Sequence, residues 1–77
     1  MRVTVYSKPS CVQCDGTKRS LNKAGIEFTE VDLTEHAAAL EYVTEDLGYA
    51  QAPVVVTAEG HWSGFRPDRI KALTRAA

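Results

Sequence analysis

The sequence predicts an α/β fold with element order β-α-β-α-β-β-α, a mixed four-stranded sheet flanked by three helices. Three observations carry this. Residues 2–6 alternate Val3 and Val5 with Arg2, Thr4 and Tyr6, the period of a strand. Two helical stretches each run to a glycine, Gly25 and Gly48, which takes positive φ without steric penalty. Pro53 opens the run Val54-Val55-Val56, whose unbroken apolar character suits a buried central strand. The first β-α-β forms a right-handed parallel unit, and a closing hairpin adds an antiparallel pair.

After the strand at 2–6, Ser7-Lys8-Pro9-Ser10 reads as a loop. Ser10 followed by Gln13 fits a capping box, and the first helix runs to about Ala24 with Cys14, Thr17, Leu21 and Ala24 on one face. Ile26 to Asp32 gives the second strand, with Glu30 interrupting its alternation. Thr34 is the expected N-cap of the second helix, and Glu35 favours the positive end of its dipole. That helix carries Leu40, Val43 and Leu47 at helical spacing. The third strand spans Val54 to Thr57, and Glu59-Gly60 turns into a short fourth strand near His61 to Ser63. Pro67 suits the first position of a last helix. Ile70 and Leu73 turn inward there, and Arg66, Lys71 and Arg75 outward.

Seventy-seven residues hold one modest core, so a single domain over 1–77 is expected. Net charge is −1 with acids and bases interspersed, and no basic block is large enough for a polyanion. Nucleic acid is therefore not an expected partner. The apolar runs are too short for a membrane span or a secretory leader, which points to the cytosol. The two cysteines sit three positions apart with nothing to bridge at a distance. In a reducing compartment such a pair is catalytic or metal-binding more often than structural.

Cys11-Val12-Gln13-Cys14 stands after a strand and at a helix start. The helix N-terminus offers unpaired amide donors and partial positive charge, both favouring thiolate over thiol. In such motifs the first thiol's pKa falls from ~8.5 to ~7 or lower. Cys11 is thus expected to attack, and Cys14, one turn on and facing the core, to resolve the mixed disulfide. Lys8 would help the thiolate and Asp15 oppose it. A zinc site would need two more ligands, and His36 and His61 lie on different elements without the usual spacing. A purely structural disulfide across so small a loop gains little.

Pro53 reads either as a strand-entry residue or as the site of a cis Ala52-Pro53 bond. In the second case Ala52 faces Cys11 and its backbone pairs with an extended substrate by strand addition. Trp62-Ser63-Gly64-Phe65-Arg66-Pro67-Asp68 reads either as satellite core plus a turn or as an apolar docking surface. Arg66 and Arg69 beside it would steer an acidic tail.

With CVQC, Ala52-Pro53 and WSGFRPD in place, the chain resembles the glutaredoxin-like NrdH-redoxins along essentially its whole length. CVQC alone would place it only in the thioredoxin superfamily; WSGFRPD is the more specific segment. The resemblance implies a thioredoxin fold with sheet order 2-1-3-4 and a cis Pro53. No bound cofactor is expected, because the sulfurs are the redox centre, and a monomer is expected. It implies that NADPH acts indirectly, through thioredoxin reductase, and that the dithiol reduces the C-terminal tail of the class Ib ribonucleotide reductase large subunit. The partner-binding residues would be Lys8, Val12, Gln13, Ala52, Pro53, Trp62, Ser63, Gly64, Phe65 and Arg66. A glutathione-dependent glutaredoxin shares the fold. Lys8 fits that reading too, but Ala52 precedes the proline and Phe65 occupies space a glutathione carboxylate would need. A non-redox zinc-binding module on the same fold is the third reading.

Overall fold

A computed structural model describes the backbone of residues 2–76 and the side chains of residues 2–74. Its elements are β1 (Val3–Ser7), α1 (Val12–Lys23), β2 (Thr29–Asp32), α2 (Ala37–Glu41), β3 (Val54–Thr57), β4 (Gly60–Ser63) and α3 (Pro67–Ala76). A π-helical turn, Tyr42–Asp46, continues α2. The strand order is β2-β1-β3-β4, with β1 parallel to β2 and β3 antiparallel to both its neighbours. This is the mixed four-stranded, three-helix architecture expected from the sequence.

The register aligns Glu30, Val5, Val55 and Trp62 across the four strands. Val3, Val5 and Val55 point to one face, where they meet Leu21 of α1, Ile70 and Leu73 of α3, and Trp62. Ile26 and Phe28 pack at the edge of this core. On the other face Tyr6 meets Tyr42, ring centroids 5.9 Å apart. Period-two alternation in β1 therefore divides the two layers, as strand geometry requires.

Several element boundaries differ from expectation, each for a local reason. Ser10 does not cap α1. Its φ is +56°, outside the extended region an N-cap needs. Cys11 takes that place, and its Sγ accepts the Cys14 N–H at 3.1 Å. At the other end Gly25, with φ +74°, closes the helix. Its N–H bonds to Asn22 O at 3.1 Å and that of Ile26 to Leu21 O at 2.9 Å, both bonds of a Schellman motif. Ile26 is thereby committed to the cap, so β2 starts at Thr29 and not at residue 26. Ala24 is exposed rather than part of the buried face.

The second helix starts later than Thr34. Thr34 donates its N–H and its hydroxyl to Asp32 Oδ1, at 2.8 and 2.6 Å, in an Asx-type turn. Asp32 outcompetes the helix for that residue, and His36 becomes the N-cap without a side-chain bond. Of the expected apolar face, Val43 is buried but Leu40 is 45% exposed. The hairpin turn residues are Ala58 and Glu59, and Gly60 already pairs with Thr57 in β4. Pro67 opens α3 as expected, with Ile70 and Leu73 buried and Lys71 exposed. The outward placement expected of Arg75 lies outside the described side chains.

Candidate active site

The redox couple is built by the start of α1. Cys11 has extended backbone (φ −118°, ψ 104°), so its side chain folds over the first turn of the helix. Cys14 is one turn on, and the two form a disulfide with Cα atoms 5.2 Å apart, within the range such bonds need. Cys11 is 9% exposed and Cys14 1%. The Cys14 amide that reaches Cys11 Sγ, together with the helix terminus behind it, stabilises negative charge on that sulfur.

The segment before β3 supplies the second wall. The Ala52-Pro53 peptide bond is cis, and Pro53 is buried. The Ala52 carbonyl oxygen lies 3.9 Å from Cys11 Sγ. Among the described residues the Ala52 N–H makes no hydrogen bond within the protein.

The lead into α3 is fastened to both walls. Gly64 donates its N–H to the Pro53 carbonyl at 2.8 Å, and the Ser63 hydroxyl donates to Gln51 O at 3.0 Å. The Phe65 N–H donates to Gln13 Oε1 at 3.0 Å. Gly64 sits so close to Gln13 that an added Cβ would lie 3.4 Å from Oε1, and its φ is +86°. A side chain there would be strained by that φ. Phe65 is 39% exposed, with its ring over Gly16, and Val12 is 85% exposed.

Gln13 is thus not the second half of a capping box; its amide holds the last-helix segment instead. Trp62 is 5% exposed and belongs to the core, leaving the apolar surface to Val12 and Phe65. Arg66 is engaged by Asp68 through bonds of 2.9 and 3.1 Å, which hold the Asp68 carboxyl below its ordinary pKa. Arg69 lies over the Trp62 ring, 5.2 Å from its centroid. The Arg66 charge is therefore balanced locally by Asp68, whereas Arg69 keeps its charge beside the Trp62 ring. Lys8 is exposed on the loop before Cys11.

A polar chain under α1 escapes the simple strand-and-helix reading. The Ser7 hydroxyl donates to Glu30 Oε2 at 2.8 Å, and Lys18 Nζ reaches the same oxygen at 2.7 Å. The bonds from Lys18 first, then Ser7, hold the Glu30 carboxyl below its ordinary pKa, and the bond to Glu30 raises that of Lys18. The break in alternation at Glu30 is the one trace of this in the sequence.

His36 Nδ1 lies 3.1 Å from Asp32 O and His61 Nδ1 2.7 Å from the Tyr49 hydroxyl. Among the described residues no group of three or more His, Cys, Asp and Glu is placed to hold a metal ion. Among them, too, no helix is long and apolar enough to cross a membrane.

A profile of the glutaredoxin family matches residues 3–62. The glutaredoxin-like protein NrdH of Escherichia coli is 40% identical over 73 residues, covering 95% of this chain and 89% of that one. The Salmonella typhimurium protein of the same description is 43% identical over 75 residues, with the same coverage. The solved structure of the E. coli NrdH-redoxin, a glutaredoxin-like protein described as having a thioredoxin-like activity profile, superimposes with a TM-score of 0.90 over 95% of each chain. Fold, disulfide and relatives agree: the chain belongs to the glutaredoxin family, among its NrdH-like members, and is a disulfide oxidoreductase carrying the Cys11–Cys14 pair.

Proposed function

We propose that this chain, acting as a single-domain monomer in the cytosol, carries electrons from an NADPH-dependent thioredoxin reductase to class Ib ribonucleotide reductase. The observation that supports this best is the fastening of Ser63, Gly64 and Phe65 to Gln51, Pro53 and Gln13. It uses backbone donors at the start of the last helix that a glutathione carboxylate would need, and Phe65 covers the same place. What stays open is Cys11, the free Ala52 N–H, and an apolar surface of Val12 and Phe65, which suits a protein disulfide.

The steps follow from the placement of the sulfurs. Cys11, the more exposed and the one that receives the Cys14 amide, attacks as thiolate. Its sulfur bonds to one sulfur of the disulfide on the C-terminal tail of the large subunit, and the other leaves as thiolate. The tail lies along Ala52 by strand addition. Cys14 then loses its proton and attacks Cys11, releasing the second tail thiolate and forming the Cys11–Cys14 disulfide. Two electrons have passed to the tail, and both its sulfurs take up protons. Thioredoxin reductase returns two electrons from NADPH. No bound cofactor enters, because the sulfurs are the redox centre.

The glutathione-dependent reading retains one point of support, the exposed Lys8 beside the free Ala52 amide. NADPH oxidation decides between the two, followed with thioredoxin reductase in one cuvette and with glutathione and glutathione reductase in another. Turnover in the first is expected. Turnover confined to the second overturns the proposal.

A further inference from the structure

A cavity of about 280 Å³ lies between the β3–β4 turn and α3, lined by Thr57, Glu59, Trp62, Arg69, Ala72 and Leu73 among others. It stands at the far end of the sheet from the disulfide. From Pro53, beside the redox site, β3 runs to Thr57, ~13 Å away at the rise of a strand. Neither the disulfide chemistry nor the Gln13–Phe65 contact uses this cavity. We propose that it binds a small monocarboxylate with a short apolar body. The inference is independent of the redox reading.

Two donors carry the assignment. Trp62 is 5% exposed, and its Nε1 is buried without a hydrogen-bond partner among the described residues. A buried indole N–H ordinarily finds an acceptor. Arg69 reaches over the same indole, its guanidinium carbon 5.2 Å from the ring centroid. Among the described residues no carboxylate stands within salt-bridge distance of it. Both residues line the one cavity, so an acceptor group entering there serves both. The Thr57 hydroxyl does not compete for that group. It donates to Gly60 O at 2.9 Å and accepts the Glu59 N–H at 3.1 Å, which closes the turn on itself.

Charge and lining select the ligand. An oxyanion offers acceptors and no donors, which matches a guanidinium and an indole N–H. Glu59 on the same wall repels anions, and it repels a phosphate dianion twice as strongly as a monocarboxylate at the same distance. Ala72, Leu73 and the indole make much of the remaining wall apolar, which suits an aliphatic body behind the carboxylate. A cavity of about 150 Å³ already accepts benzene, so a chain of about four carbons has room.

Trp62 is the only tryptophan in the chain, so its indole N–H gives a single resonance in a proton–nitrogen correlation spectrum of the full chain. Butyrate should move that resonance saturably. Butyramide, of the same shape without the charge, should bind about tenfold more weakly, the worth of a charge-assisted hydrogen bond. Inorganic phosphate should also bind more weakly than butyrate. Arg69→Gln should weaken butyrate binding about tenfold, and Glu59→Gln should tighten it about two- to fivefold. The other resonances report whether each variant is folded, and Glu59→Gln, on the exposed turn, keeps the test decisive if Arg69→Gln is not. A shift that grows without saturating, an equal response to butyramide, or unchanged affinity in a folded Arg69→Gln overturns the site. Tighter binding of phosphate than of butyrate overturns the choice of a carboxylate.

Discussion

Gln13 and Phe65, fifty-two residues apart, are joined by a 3.0 Å hydrogen bond from the Phe65 N–H to the Gln13 amide oxygen. Gln13 lies between the two redox cysteines, and Phe65 directly precedes the Arg66-Pro67 entry to α3. The dithiol motif therefore carries its own clamp on the segment that shapes the partner surface.

Removing the acceptor tests the clamp. Gln13→Leu leaves the Phe65 N–H to water and should lower stability by about 0.5–1.5 kcal/mol, the net worth of one such bond. Gln13→Glu keeps an acceptor oxygen and should retain most of that stability. Urea denaturation measures both. KM for thioredoxin reductase should rise in the Leu variant and recover in the Glu variant if the clamp shapes the docking surface. Equal KM values in both would limit the bond to a structural role.

Exposure divides the labour of the two sulfurs. Cys14 is 1% exposed, and Cys11 is the cap that faces the Ala52 carbonyl. Cys14→Ser should attack a disulfide substrate normally and stop at the mixed disulfide, visible as a covalent adduct by mass spectrometry. Cys11→Ser should form no adduct. Dithiol turnover that survives the loss of Cys14 would overturn the order of attack.

The element order, the glycine stops and the redox motif are legible in the sequence because each rests on local chemistry; the residues around Pro53 leave a cis bond and a plain strand entry both open, and the resemblance favours the first. Gly25 and Gly48 take positive φ, and the Val run marks the inner strand. What the sequence conceals are competitions between side chains for one backbone group. Ser10 and Cys11 both qualify as N-cap, and only the +56° turn at Ser10 decides between them. Thr34 reads as a cap, yet Asp32, two residues before it, takes its amide. Gln13 had a plausible local partner and uses a distant one. Leu40 at the surface reverses the inward reading that its helical spacing suggests, and Trp62, for which core and docking surface are both open in the sequence, lies in the core.

Glu30 makes stability depend on acid. Its folded pKa is lowered by the bonds from Lys18 and Ser7, so the stability it contributes is present above its unfolded pKa, ~4.3. That contribution is lost as pH falls through the folded value. The carboxylate is 43% exposed, and solvent screening limits the pair to about 0.5–1 kcal/mol. Glu30→Gln should be less stable than the natural chain at pH 7 by that amount. The gap should close on acidification below about pH 4.3. Urea midpoints at several pH values decide it, and a gap that stays constant into acid would mean the charge is irrelevant.

Thr17 sits one turn beyond Cys14, fully buried, and its hydroxyl has no hydrogen-bond partner among the described residues. A buried hydroxyl left unpaired costs about 1–3 kcal/mol. Thr17→Val replaces it with a methyl group of similar shape at little change in helix propensity. The variant should therefore be more stable, by about 1 kcal/mol, and melt roughly 4–8 °C higher in a domain of this size. Adduct resolution by Cys14 should keep its rate, since the hydroxyl makes no bond to either sulfur in the disulfide form. Loss of stability would reveal a partner for the hydroxyl, such as a buried water. Slower resolution at unchanged stability would instead place Thr17 in the second step, as a donor to the opened Cys14 sulfur one turn away on the same helix face.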